Sequence, residues 1–378
     1  MQKWPRLIQN RIEKRFFKGK IIIIYGARQV GKTVLVKQII NKYQGKSIYL
    51  NCELLSVQKG LLAPEAEKIK SYLGDNQLII LDEAQKIKNI GLILKIIIDT
   101  YPDIQVVATG SSSFELAGQA SEPLTGRADV FTLYPFSLLE IKQHYNRFEV
   151  EAKTENLMRF GSYPEVFLLA ENSEELAKDR LNEIASNYLY RDILSFEGIK
   201  KSGILSDLLQ LLALQLGNEV SYHELAGNLG VSRQTIKKYI DLLEQSFVIF
   251  RLRAFSRNLR KEIAKTVKIY FYDLGIRNSL IQNYNRLDIR SDGGALWENL
   301  MIIERQKRNF YRKHYANRYF WRTYDQKEID YIEEAGGRLR AFEFKRKKDK
   351  IKAPNEFIDK YKAKFTVINQ SNYWDFLI

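Results

Sequence analysis

Lys20-Ile-Ile-Ile-Ile-Tyr25-Gly26-Ala27-Arg28-Gln29-Val30-Gly31-Lys32-Thr33 is the stretch on which the reading of this chain turns. Four consecutive isoleucines, β-branched and apolar on both faces, predict a buried strand that stops at Gly26. Gly26 to Thr33 then matches G-x-x-x-x-G-K-[ST] at every fixed position, and a helix is expected from Thr33 to about Tyr43. Strand, glycine-rich loop and helix in that order make a phosphate-binding loop. The glycines let the backbone wrap, so that N–H groups from Gly26, Ala27, Arg28, Gln29, Val30, Gly31, Lys32, Thr33 and Val34 face phosphate oxygens at a helix N-terminus. Lys32 would reach the β and γ phosphates, and the Thr33 hydroxyl would hold Mg²⁺.

Working outward, short apolar runs at Ser47–Asn51, Leu78–Leu81 and Gln105–Ala108, with a helix expected over Gly91–Thr100, repeat the pattern of a parallel α/β sheet. Two carboxylates close the second of these runs. Asp82 is placed to bind the metal through water, and Glu83 to polarise an attacking water. The next strand end, Val107-Ala-Thr109-Gly110-Ser111-Ser112-Ser113, offers Ser111 as a polar sensor near the γ-phosphate, or a simple turn. Arg127 and Arg191 are alternatives for a phosphate contact, in cis or from a neighbouring subunit; the latter requires a homo-oligomer. The Asn-Lys-x-Asp signature of guanine-specific enzymes is missing, which favours ATP.

Beyond the first 140 residues the pattern becomes helical, from about Phe136 to Leu216, most clearly over Glu174–Leu194. Ser221 to Leu243 reads as helix-turn-helix: a turn at Gly230, an N-cap at Ser232, then apolar Ile236, Ile240 and Leu243 at helical spacing. Phe247–Leu252 would supply a wing strand. The exposed-type residues Arg233, Gln234, Lys237 and Lys238 fall where a recognition helix meets phosphates and base edges. Farther on, strand-like runs at Lys268–Tyr272, Tyr319–Arg322, Ile329–Ile332 and Arg340–Lys345, interrupted by a helix from Gly294 to about Arg308, give a second α/β domain.

Charge is distributed unevenly. Of a net +15, residues 1–250 hold 31 basic against 29 acidic side chains, whereas residues 251–378 hold 29 against 16. A polyanionic partner would therefore meet the C-terminal third. The run Lys345-Arg-Lys-Lys-Asp-Lys-Ile-Lys352, with Tyr311, Tyr315, Tyr319, Phe320 and Trp321 near it in sequence, suits nucleic acid, DNA first. Hydrophobic residues at 45% and charged residues at 28% exclude a disordered or fibrous chain. One cysteine, Cys52, allows no internal disulfide, and the start Met1-Gln-Lys-Trp-Pro5 lacks a signal-peptide core. The longest aliphatic runs, such as Ile21–Ile24, fall far short of the roughly 20 residues of a membrane span. A cytoplasmic protein without membrane contact is the expectation.

Taken together, Gly26–Thr33, Leu81-Asp-Glu-Ala-Gln85, Thr109–Ser113, Leu124-Thr-Gly-Arg127 and Phe160-Gly-Ser-Tyr-Pro-Glu165 resemble the prokaryotic AAA-type ATPases that carry a winged-helix segment and a C-terminal module like restriction endonucleases. The resemblance implies ATP hydrolysis with Mg²⁺. It also directs attention to Glu298 on the predicted helix, Asp330 on one strand, and Glu343 with Lys345 on the next. In PD-(D/E)xK nucleases such carboxylates, here Asp330 and Glu343, hold Mg²⁺, and the lysine steadies the attacking water. Strand periodicity puts Glu343 and Lys345 on one face. The triplet alone says little, because Glu140–Lys142 and Glu151–Lys153 repeat it. The expected architecture is a P-loop parallel-sheet ATPase domain over residues 1–140, a helical lid over 141–215, a winged helix over 216–260, and a nuclease-like α/β domain over 261–378. Two functions stay open: nucleotide-gated cleavage of nucleic acid, or an ATP-dependent switch or scaffold that binds DNA or protein without cutting. A small-molecule kinase is a third and weaker reading, because Asp82 and Glu83 suit water activation.

Overall fold

The isoleucine run forms β1 (Ile21–Tyr25), and every residue in it is buried. A computed structural model describes residues 4–111, 124–189, 202–256, 267–323, 325, 327–347 and 351–378. β1 lies inside a five-stranded sheet ordered β2-β3-β4-β1-β5, with β2 (Ser47–Asn51), β3 (Leu78–Asp82), β4 (Gln105–Gly110) and β5 (Ala128–Thr132). All four pairings are parallel. Helices Lys32–Lys42 and Ile90–Thr100 connect strands, and Ile21, Ile23, Leu81, Val106, Ile93 and Ile97 share one core. β5 is absent from the sequence expectation. It is an edge strand with Val130 exposed and Asp129 half-buried, so its sequence shows no continuous apolar run.

The parallel register brings Tyr25 level with Gly110 and Leu81 level with Ala108, so β1, β3 and β4 finish on one edge. Their carboxyl ends border the loop that leaves β1, which is the usual ligand crevice of an open α/β sheet.

These elements belong to the first of two compact units, Met1–Pro135 with Gln245–Phe247. The second comprises Phe136–Glu244 with Val248–Ile378. It opens with helices Leu138–Ile141, Arg147–Phe160, Pro164–Ala170 and Glu174–Glu183. Capping boxes at Ser137 and Asn146 satisfy the first free N–H groups of two of these helices. The expected helix continues past Leu189 into residues outside those described. Helix Ser202–Leu214 follows.

Next come helices Tyr222–Leu229 and Arg233–Gln245, separated by Gly230 in the left-handed region at φ 62°. Ser232 Oγ accepts the Thr235 N–H at 3.1 Å, as an N-cap does.

A seven-stranded mixed sheet completes the unit, ordered β12-β11-β10-β9-β7-β8-β6. Its strands are β6 (Glu219–Val220), β7 (Ile249–Ala254), β8 (Val267–Phe271), β9 (Asn317–Arg322), β10 (Glu328–Ala335), β11 (Arg338–Phe344) and β12 (Lys364–Ile368). β7, expected as a wing, pairs antiparallel with β8 and parallel with β9, so it is continuous with the C-terminal strands. Between Ile329 and Ile332 the β9–β10 register shifts, so that Asp330 and Tyr331 together oppose Phe320 as a bulge. Helix Gly293–Tyr311 buries Trp297, Met301 and Ile302. It also buries Arg305, which makes a two-pronged pair with Glu333 at 2.8 and 2.9 Å.

Candidate nucleotide site and C-terminal carboxylate cluster

At the end of β1, Gly26 leaves no room for a side chain: a Cβ there would lie 2.3 Å from the Leu133 carbonyl oxygen. Gly31, left-handed at φ 96°, starts helix Lys32–Lys42. Ala27 and Val30 anchor the loop in the core, while Gln29 and Val34 are exposed and Arg28 is half-buried. Lys32 is buried, and its Nζ donates to the carbonyls of Gly26 at 2.8 Å and Ala27 at 3.0 Å. The ammonium is thus folded against its own loop. Arg6, unnoticed in the sequence, braces the loop from behind, donating to Val30 O at 2.7 Å and Tyr134 O at 2.6 Å. A lone arginine far upstream gives no local signal of such a role.

Asp82 sits at the end of β3 and accepts three hydroxyl donors. Thr33 Oγ1 and Tyr49 OH reach Oδ2 at 2.7 and 2.6 Å, and Thr109 Oγ1 reaches Oδ1 at 2.5 Å. Thr33 and Asp82, each expected at the metal, are thus hydrogen-bonded to one another. Burial first, and then the bond to Asp82, pushes the Tyr49 phenol far above its usual range, so it stays a donor. Burial, helped by the charges of Asp82 and Glu83, likewise lifts the neighbouring Cys52 thiol to about 12, which keeps it protonated and inert.

Glu83 is left-handed at φ 54°, and its N–H bonds Thr109 Oγ1 at 3.0 Å. Its carboxylate is held by Gln85 Nε2 at 2.6 Å, and the same nitrogen donates to Ser111 Oγ at 3.1 Å. Ser111 thus lies beside the β3 end. Tyr49, Thr109 and Gln85 join this set without having been singled out; Thr109 and Gln85 lay in the quoted motifs, whereas Tyr49 had no signal beyond its strand.

Arg127 lies elsewhere. It precedes β5, its carbonyl accepts from Ile21 N at the start of β1, and its guanidinium pairs with Asp99 at 2.7 Å. It occupies the sheet edge opposite the loop. The length of β1 separates it from the loop, so it is not brought to the Lys32–Asp82 group within the chain. Arg191 falls outside the described residues.

In the second unit Glu298, Asp330 and Glu343 do form one electrostatic cluster, extended by Glu328. Burial, and then the Glu298 charge, raises Asp330 to about 7; burial, and then Asp330, raises Glu343 to about 7. Glu298 is raised as well, chiefly by burial. Asp330 Oδ2 accepts the Phe344 N–H at 2.8 Å, and Lys345 Nζ meets Glu343 Oε1 at 3.1 Å. Two unforeseen residues complete the cluster. Lys268 on β8 is 2% exposed, and its ammonium contacts Glu298 Oε1 at 3.3 Å and also Glu328 Oε1. Tyr270 OH donates to Glu298 Oε1 at 2.5 Å. Burial pulls the Lys268 pKa down, but Glu298, Glu328 and Asp330 outweigh it, and the amine stays charged.

Residues 18–142 match the family described as an AAA domain. The first unit is an ATPase-like P-loop domain. The chain is similar in structure to a solved Walker-type ATPase of Pyrococcus abyssi, at TM-score 0.52 and 16% identity, covering 74% of this chain and 96% of that one. At that identity the likeness is one of fold. Residues 151–287 and 293–373 match two families described only as domains of unknown function, DUF8612 and DUF4143. An uncharacterized protein of Methanocaldococcus jannaschii is 27% identical over 328 residues, covering 82% of this chain and 71% of that protein. Another, of Mycobacterium tuberculosis, is 26% identical over 339 residues, covering 89% and 72%. Among the described residues no helix is long and apolar enough to cross a membrane.

The two sites differ in the groups they would offer Mg²⁺. In the AAA-type unit a hydroxyl and a carboxylate oxygen, Thr33 Oγ1 and Asp82 Oδ2, lie side by side at the helix start. That oxygen-only set suits an ion that keeps its waters and takes the rest of its ligands from phosphates. At the C-terminal carboxylates the cations at hand belong to the chain itself: Lys345 meets Glu343, one of the two expected metal ligands, at 3.1 Å. Among the described residues no group of three or more His, Cys, Asp or Glu side chains is arranged to hold a metal ion. The Lys268 ammonium already lies against Glu298 and Glu328, and its charge partly offsets theirs.

Proposed function

We propose that the first unit binds and hydrolyses ATP. The carrying observation is the convergence of Lys32, Thr33, Asp82 and Glu83 at one edge of a parallel sheet. On nucleotide binding Lys32 exchanges the Gly26 and Ala27 carbonyls for the β and γ phosphates, while loop N–H groups cradle them. Thr33 and Asp82 hold Mg²⁺, which when bound neutralises phosphate charge. Tyr49 and Thr109 keep Asp82 from rotating away. Glu83 takes a proton from the attacking water, and Ser111 faces the γ-phosphate. Arg127 acts only from a neighbouring copy, which makes the active form a homo-oligomer; Arg191 is the alternative. Lys32→Ala should lower the rate of phosphate release at least about 100-fold. Release by that variant at the wild-type rate would sink the ATPase reading.

For the second unit we propose nucleic-acid binding without cleavage, switched by the nucleotide state of the first. Support comes from Arg233, Gln234, Lys237 and Lys238, all exposed on helix Arg233–Gln245, in a helix–turn–helix flanked by β6, β7 and β8 in the manner of a winged helix. On this reading the functional division follows the boundaries near 140, 215 and 260. Glu298 on helix Gly293–Tyr311, Asp330 on β10 and Glu343 on β11 with Lys345 just after it are read as a degenerate nuclease-like cluster, with the Lys268 ammonium set against Glu298. Incubating the protein with single- and double-stranded DNA and RNA in Mn²⁺ should give no cleavage; cleavage lost in Asp330→Ala would restore the nuclease reading.

A further inference from the structure

Gln85 follows Glu83 by two residues, in the short 3-10 turn Ala84–Lys86, and is 9% exposed. Its Nε2 donates to Glu83 Oε2 at 2.6 Å and to Ser111 Oγ at 3.1 Å. Both amide protons are therefore engaged, one on each of two strand ends. The orientation of the amide is fixed by chemistry, because turning it over would set its oxygen against the Glu83 carboxylate. Gln85 Oε1 is left buried and finds no hydrogen-bond partner among the described residues. A buried acceptor without a donor is uncommon in a folded protein and calls for an explanation.

We propose that Gln85 is a catalytic residue: its Oε1 accepts a hydrogen bond from the water that attacks the γ-phosphate, while its Nε2 fixes the Glu83 carboxylate. This rests on the reading of Glu83 as the group that polarises that water. A water molecule has two O–H donors. With one on Glu83 and the other on Gln85, its lone pairs are left to face phosphorus, and the freedom to tumble is lost. The water oxygen then bonds to the γ-phosphorus and the bond to the bridging oxygen breaks. ADP departs with that electron pair, and the water proton passes to Glu83 and on to solvent, leaving inorganic phosphate. The link from Nε2 to Ser111 ties the same amide to the sensor strand, so Glu83 and Ser111 are positioned together.

The test uses the full chain with Mg-ATP. Gln85→Leu, which keeps the bulk and removes both polar functions, should lower kcat about 100-fold while leaving the KM for ATP within about twofold. Gln85→Glu keeps an acceptor but puts a second carboxylate against Glu83, so the acid limb of the pH–rate profile should move to higher pH. A residue that only supports the fold would change thermal stability and KM without moving that limb. Should Gln85→Leu fail to fold, the pH profile of Gln85→Glu decides alone. Gln85→Leu with kcat within about threefold of wild type, or Gln85→Glu with an unmoved limb, overturns the proposal. Glu83→Gln separates the two levels of the argument. If it hydrolyses ATP normally, the reading of Glu83 fails and Gln85 with it; if it is inactive while Gln85→Leu is active, only the Gln85 proposal fails.

Discussion

Gly26 and Arg6 show how a phosphate-binding loop is held from both sides. The Leu133 carbonyl that a Cβ at Gly26 would strike belongs to a residue whose own N–H bonds Tyr25 O at 2.7 Å, so the backbone there cannot yield. Gly26→Ala should destabilise the protein by about 2 kcal/mol or more and weaken nucleotide binding roughly tenfold or more; unfolding curves and titration with an ATP analogue measure both. Arg6→Ala strands two buried carbonyls, on Val30 and Tyr134, and should cost about 1–3 kcal/mol with a raised KM for ATP. An Arg6→Ala protein with unchanged unfolding midpoint and KM would show that the loop needs no brace.

Among elements, the bulge in β10 matters most for the second unit. Opposing Asp330 and Tyr331 to a single residue of β9 places Asp330 where it is buried near Glu298 and where the Phe344 N–H can reach it. Its carboxyl titrates near 7 in the fold against 3.8 ordinarily. The folded chain therefore keeps that proton to higher pH than the unfolded chain does. Stability from this group is present below about pH 4 and is lost as pH rises through 7. Asp330→Asn stays neutral and can still accept the Phe344 N–H. It should lose less stability than wild type between pH 5 and 8, a difference on the order of 1–3 kcal/mol. Thermal unfolding across that range gives the answer, and parallel curves for the two proteins would refute the account.

For the whole molecule, the division of charge carries the prediction. The C-terminal run is less uniform than its composition suggests: Arg346 donates to Leu287 O at 3.2 Å and is half-buried, whereas Lys347 and Lys352 are exposed. Lys348 falls outside the described residues. Replacing Lys347, Lys348 and Lys352 by glutamine should reduce the slope of log K for DNA against log salt by about 2–3, at roughly 0.9 per phosphate contact. ATP hydrolysis measured without nucleic acid should stay unchanged. An unaltered slope would assign the +13 region to another purpose.

The sequence alone determined four of the five strands in the parallel sheet of the first unit and the loop that leaves β1. Strands apolar on both faces, and a loop whose glycines sit at fixed positions, are local properties that read directly from neighbouring residues. It also anticipated that Thr33 and Asp82 meet, and that Glu298, Asp330 and Glu343 gather. Only the tertiary structure decided which partners complete each site. Arg6, Tyr49 and Lys268 come from distant segments, and a single arginine, tyrosine or lysine has no pattern around it that marks its role. Tertiary structure also moved Arg127 to the far edge of the sheet, because parallel register with β1 fixes which end of β5 faces the loop. It placed the expected wing strand within the C-terminal sheet, since strand pairing depends on hydrogen bonds between residues far apart in the chain. The same distance dependence set the buried Lys268 of β8 against Glu298 and Glu328.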